Sequence, residues 1–277
     1  MNSKPSPGLL YSAMRIFDLS LGEMLWSRRT IFMFLVVGVP VLMAAIVRVV
    51  IAVGGSTMKV NSVAVTGGPA IFGLMIWAFY VRFAVPVLGA FYGTALIADE
   101  VDDKTITYLF TRPIPRGAVL VGKFLAYLVC TLCVVLPSIM MVWLIIIPMG
   151  GSLGESFPDL IKDLGILAVG LAVYGAVFAF VGSAVKRPLL VSLFFVIGWE
   201  NAVMAFPGYL KRFTVAYYVQ GLVPHAMPND STVSLVQRIF QETPSLSESV
   251  IGMAVILFGF LWLGARTVSR REYVLEQ

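Results

Sequence analysis

Few residue types in this chain could do chemistry, and most of them sit in apolar surroundings. Gly117-Ala-Val-Leu-Val-Gly122-Lys123 has the GxxxxGK spacing that opens a phosphate-binding loop. Such a loop follows a strand and continues with Ser or Thr as a Mg²⁺ ligand. Here Phe124 stands in that place and a long apolar run follows, so no ATP site is expected. Cys130 and Cys133 are spaced CxxC, which can serve redox or metal chemistry. They are the only cysteines and His225 is the only histidine, so a full set of soft ligands is lacking and no metal site is expected. The cysteines read as small apolar side chains. His225, between Pro224 and Pro228, reads as a loop residue. Three ionisable residues, Arg48, Arg82 and Glu200, fall inside apolar stretches. A charge at the centre of a spanning helix costs about 2.5–3.5 kcal/mol on insertion scales, which makes each a functional candidate. Arginine can snorkel to the headgroups; a carboxylate has too short a stem. Glu200 can pair with Arg82, line a wet cleft or stay protonated. It can also mark a helix break near Trp199-Glu200-Asn201 that opens a re-entrant hairpin.

The elements that must position these residues are membrane helices. The chain has 277 residues, of which 59% are hydrophobic and 13% charged, where a soluble domain carries about 25% charged residues. Phe124–Gly154 and Leu164–Val185 contain no Asp, Glu, Lys or Arg. About 20 apolar helical residues cross a bilayer core, and six such segments can be placed, roughly at 30–53, 73–98, 124–148, 164–185, 188–207 and 249–265. Met1–Gly8 is polar and Pro-rich and does not read as a cleavable signal. Residues 10–29 mix apolar and charged side chains, with Ile16, Leu19, Leu21, Met24 and Leu25 roughly at helical spacing, as in an amphipathic interfacial helix. Gly89-Ala-Phe-Tyr-Gly93 is a GxxxG that permits close helix contact, with a dimer face as one use. Pro86 and Pro137 can kink their helices. Asn229-Asp230-Ser231 can cap a short helix running to Gln241 in the long loop that follows the fifth segment.

The net charge of +5 does not point to nucleic acid, because its distribution follows topology. With the N-terminus inside, thirteen of the 20 Lys and Arg residues fall in cytoplasmic segments and five on the other side. The excess places both termini in the cytoplasm.

Residues 99–123, between the second and third segments, form the most informative stretch. Asp99-Glu-Val-Asp-Asp103 gives way to a short amphipathic run, then to Pro113-Ile-Pro-Arg116, and ends at Gly122-Lys123. Pro113 and Pro115 end any helix near Arg112. A bare helix connection needs only about 2–8 residues, so this length implies a purpose. The stretch resembles the loop of ABC-2 type transporter permease subunits, whose pattern is met by Glu100, Lys104-Thr105, Tyr108-Leu109-Phe110, Pro113-Ile-Pro-Arg116 and Gly122-Lys123. Lys104 stands where the family more often has Gly. Trp199-Glu200, Pro207 and Ala216-Tyr217-Tyr218 are similar to a pattern of one permease subgroup, so the likeness covers most of the chain.

The resemblance implies a single all-α transmembrane domain over 1–277: six transmembrane helices, an interfacial helix within 1–29, a cytoplasmic coupling helix within 99–123 and an extracytoplasmic loop at 208–248. It implies an exporter subunit in the cytoplasmic membrane, not an enzyme, which works with separate ABC ATPase subunits and a second permease copy. No cofactor is expected in this chain; ATP and Mg²⁺ belong to the ATPase. The ATPase-coupling residues would be Glu100, Asp102, Asp103, Thr105, Tyr108, Leu109, Phe110, Arg112, Pro113 and Arg116, with Arg82 and Glu200 as intramembrane polar candidates. Two other classes compete with this reading. A secondary transporter driven by protons or sodium often shows inverted repeats, and none is visible. An intramembrane enzyme needs a catalytic set at membrane depth, and Glu200 stands alone there. The charge distribution predicts that cysteines engineered near Ser152 and Ser234 label from outside sealed cells, while those near Thr105 and Ser269 do not. External labelling at position 105 would overturn the orientation.

Overall fold

Backbone polar groups in lipid must bond within their own segment, so long apolar runs fold as helices. The computed structural model describes residues 9–26, 28–53, 58–60, 63–65, 67–102, 116–205, 209–222 and 244–270. Among the described residues, five helices are long and apolar enough to cross a membrane: Arg29–Val53, Gly68–Val101, Gly117–Ile146, Leu153–Ala184 and Leu246–Arg270. They are called spans one to four and the last span. The fifth apolar segment, the Pro188–Trp199 helix, is shorter and continues as helix to Ala205. An N-terminal helix, Leu9–Leu25, precedes span one. Among the described residues the exception to helix is an antiparallel hairpin, Met58–Val60 with Val63–Val65, in the register Met58↔Val65 and Val60↔Val63. The all-α expectation lacked it, although β-branched residues around Asn61-Ser62 carry a hairpin signal.

Several helices outrun their apolar windows. Span four begins at Leu153, capped by Ser152, whose hydroxyl accepts the Glu155 N–H at 3.2 Å. Its polar first turns carry Asp163 into the packed interior at 1% exposure. Glu200 is therefore not the only buried acid in the bundle. Gly67 and Gly150 hold positive φ of 107° and 118° where the chain enters span two and leaves span three, a conformation only glycine adopts readily.

Span two is not a plain α-helix. It widens into π-helix at Ile76–Ala84 and again at Gly89–Gly93. The Val85 N–H reaches back five residues to the Tyr80 carbonyl. Pro86 follows directly and has no N–H to donate. Span three runs as α-helix straight through Pro137.

Spans two and four pack on glycine. A Cβ at Gly89 would lie 2.7 Å from the Tyr174 Cβ, and one at Gly93 would lie 3.0 Å from the Gly175 carbonyl oxygen. The GxxxG thus serves packing inside this chain. At Gly182 a Cβ would run into the Thr94 carbonyl, and at Gly175 into the Tyr127 ring. Tyr127, lodged there, donates to the Leu171 carbonyl at 2.8 Å. Tyr80 and Ser138 share a hydrogen bond of 2.9 Å between spans two and three. Gly182→Val is expected to force spans two and four apart and destabilise by about 1–3 kcal/mol, as overpacked cores do. Gly38→Val, where nothing lies within 4 Å of a new Cβ, should be nearly neutral. Thermal unfolding of both variants in detergent checks this; equal midpoints would refute the packing account.

Candidate functional site

The described residues converge on two polar sites, one at a basic end of the bundle and one in its interior. The basic end gathers the start of span one, the end of span two, the start of span three and the ends of span four and the last span. Gly264 of the last span sits against Leu120 and Phe180, and Gly117 against Ala265.

At this end four helices form a closed ring of contacts. The Arg29 guanidinium bridges Asp99 with two contacts of 2.6 Å, joining spans one and two. The Lys123 ammonium donates to Glu100, joining spans three and two. Gly122, beside Lys123, lets the N-terminal helix approach: a Cβ there would lie 2.6 Å from the Ala13 carbonyl oxygen and 2.9 Å from the Ile16 Cβ. Thr30 closes the ring by donating to the Met24 carbonyl at 2.6 Å. The N-terminal helix buries Ala13, Ile16 and Ser20 at helical spacing. This differs from the expected stripe, since Leu19 is exposed.

The two ion pairs differ in weight. Arg29 and Asp99 are 42% and 40% exposed, so their attraction is screened and their bidentate fork mainly fixes orientation. Lys123 and Glu100 are 9% and 17% exposed. Removing one partner of such a desolvated pair strands the other charge, which costs about 3–5 kcal/mol where burial is complete. The GxxxxGK segment is therefore the opening of a helix, with its lysine committed to a carboxylate.

The expected coupling residues divide sharply. Glu100 lies in the ring. Asp102 ends the helix of span two and Arg116 begins that of span three. Asp103, Thr105, Tyr108, Leu109, Phe110, Arg112 and Pro113 lie outside the described residues, as do His225 and the 229–241 segment.

The interior site centres on Glu200, which is 5% exposed. It follows a π-helical stretch, Phe194–Trp199, where its own N–H reaches back to the Phe195 carbonyl. The helix does not break at 199–201. It continues to Ala205, and the chain then turns back through a 3₁₀ turn, Tyr209–Phe213, into the helix Val215–Gln220. Tyr174 of span four donates to both carboxyl oxygens, at 2.8 and 2.6 Å. The Ala216 N–H donates to the same group at 3.3 Å. Thr214 would normally cap the 215–220 helix, but its hydroxyl is turned to the Lys211 carbonyl. Glu200 thus serves the open N–H groups of that helix from sixteen residues away. Arg82 forms no ion pair with it; its guanidinium lies over the Trp77 ring, 5.3 Å from the centroid. Arg48 is exposed on span one. Cys130 is buried and Cys133 exposed, and no cluster of three metal-ligating side chains occurs among the described residues.

The sequence matches the family model described as ABC-2 family transporter protein over residues 14–266. The chain belongs to this family. No curated protein matches it. Membership makes it a membrane subunit of an ABC transporter, and the match spans both polar sites.

In this ABC-2 chain the residues not assigned to a site from the sequence are Arg29, Asp99, Lys123 and Tyr174. Basic and acidic residues clustered at helix ends of one side carried a signal for the first three. Tyr174, inside a run without charges, carried none. Glu200→Leu should orphan the Tyr174 hydroxyl and the Ala216 N–H, each costing about 1–3 kcal/mol. Glu200→Gln retains an acceptor and should lose much less. Thermal unfolding in detergent separates them, and a Leu variant as stable as wild type would remove Glu200 as an anchor.

Proposed function

We propose that this chain is the permease subunit of an ABC exporter in the cytoplasmic membrane, crossing it six times with both termini inside. Residues 188–205 supply the sixth crossing, and 208–248 are the extracytoplasmic loop. Residues 99–123 dock on a separate ATPase, which alone binds ATP and Mg²⁺, and a second permease copy completes the pathway. The observation that carries this reading is the family match over 14–266 joined to the ring at the basic end. Both ends of the 103–115 stretch leave from ring helices. A push on that stretch would therefore reach spans one, two and three together.

The docking surface is assigned to Tyr108, Leu109 and Phe110, three large apolar residues in a polar stretch. Exposed together they would be an unexplained patch; seated in a groove they are anchors, a role in which aromatic residues are favoured. Asp102, Asp103, Thr105, Arg112, Pro113 and Arg116 set register at the rim, while Glu100 holds the scaffold through Lys123. The double change Tyr108→Ala with Leu109→Ala is expected to weaken ATPase co-purification and abolish transport while the permease still inserts. Loss of one buried anchor costs more than about 2 kcal/mol, about thirtyfold in affinity. Wild-type stoichiometry and transport in that variant would refute the assignment.

A further inference from the structure

At the basic end a groove of about 460 Å³ opens between span four and the last span, lined by Ala184, Leu263, Arg266, Thr267 and Arg270. Among the described residues neither Arg266 nor Arg270 has a carboxylate partner. The Arg266 guanidinium lies over the Trp262 ring, 5.0 Å from its centroid. The Thr267 hydroxyl donates to the Leu263 carbonyl at 2.8 Å, so the donors facing the groove are the two guanidinium groups.

The last span supplies more than these two cations. Val255, Phe258, Trp262, Arg266 and Arg270 follow one another at three- or four-residue steps and so share a face. Val255, Phe258 and Trp262 are exposed along it. The stripe is apolar for three positions and cationic for the last two. A helix C-terminus alone accounts for one cation in its final turn, not for a second one a turn earlier held over an indole.

We propose that Arg266 and Arg270 hold a phosphate group in this groove, and that the apolar stripe identifies its source as an anionic lipid. The headgroup would take the guanidinium forks, which suit phosphate oxygens. An acyl chain would lie along Trp262, Phe258 and Val255. Basic pockets between membrane helices on the cytoplasmic side bind such headgroups, and the orientation used here is that of the preceding section.

Native mass spectrometry of the full-length chain in detergent, titrated with phosphatidylglycerol, phosphatidylcholine or inorganic phosphate, tests this without ATP or transport. Wild type is expected to prefer phosphatidylglycerol, and Arg266→Gln with Arg270→Gln to weaken that binding roughly thirtyfold, at about a factor of five per charge. Arg48→Gln, which removes an exposed arginine elsewhere, should leave it unchanged. Binding of inorganic phosphate that the double variant loses, without preference among lipids, would keep the phosphate site and assign it a soluble source. Equal phosphatidylglycerol binding by wild type and a double variant of unchanged thermal midpoint, with no phosphate binding, would overturn the proposal. Loss of the ATPase subunit from the double variant with lipid binding intact would also overturn it, because the arginines would then face a protein.

Discussion

The Glu100–Lys123 ion pair is the constraint on which the basic end depends. Two largely desolvated charges on different helices are tolerable only together, so the end of span two and the start of span three hold a fixed relation. That relation determines what stands beside them. Lys123 in place places Gly122, whose missing side chain admits the N-terminal helix; Glu100 in place presents Asp99 to Arg29. A half-exposed pair such as Arg29–Asp99 would contribute little alone. Within a ring it orients a helix whose position is already restricted by its neighbours.

Away from that end the bundle is held by close backbone approach and by hydrogen bonds that leave little to solvent. Lipid offers no partner to a stray hydroxyl, so Tyr127 reaches a carbonyl of span four and Tyr80 meets Ser138. These bonds tie span three to spans two and four. Contact through small residues is how membrane helices gain packing when apolar burial no longer drives association. Both devices converge on span four, which presents Gly175 to Tyr127 and Gly182 to Thr94.

What was legible in the sequence followed from the lipid. Apolar windows locate the spans because bilayer thickness sets their length, but they do not locate helix ends, which continue into polar turns. Span four shows this best: its apolar window opens at Leu164, its helix opens at Leu153, and the buried Asp163 falls in between. The GxxxG was legible as a close contact and silent about its partner, since a smooth face fits a sister helix as well as another copy. The loop motif pointed to the basic end, yet the charges that organise that end lie on its flanks. Pairings between residues 23 and 70 positions apart leave no local pattern. Glu200 was legible as an anomaly; its partners were not, because Tyr174 looks like any apolar-run tyrosine and an N–H has no sequence signature.

That anomaly resolves into a geometric argument. An acid inside a spanning bundle invites the expectation of an opposite charge beside it, and Arg82 was the available candidate. The structure separates the two. Arg82 takes the face of Trp77, while Glu200 takes a tyrosine hydroxyl and the first turn of a helix that returns sixteen residues later. A carboxyl group suits this place because it offers acceptor oxygens to both the Tyr174 hydroxyl and the Ala216 N–H. The positive end of the 215–220 helix favours acceptor oxygens there. The 215–220 helix packs against spans two and four and the last span. Holding it by its N-terminus therefore fixes the interior of the bundle as the ion-pair ring fixes the basic end. The two sites are held by different chemistry: charge against charge where water is near, and carboxyl oxygen against hydroxyl and amide where it is not.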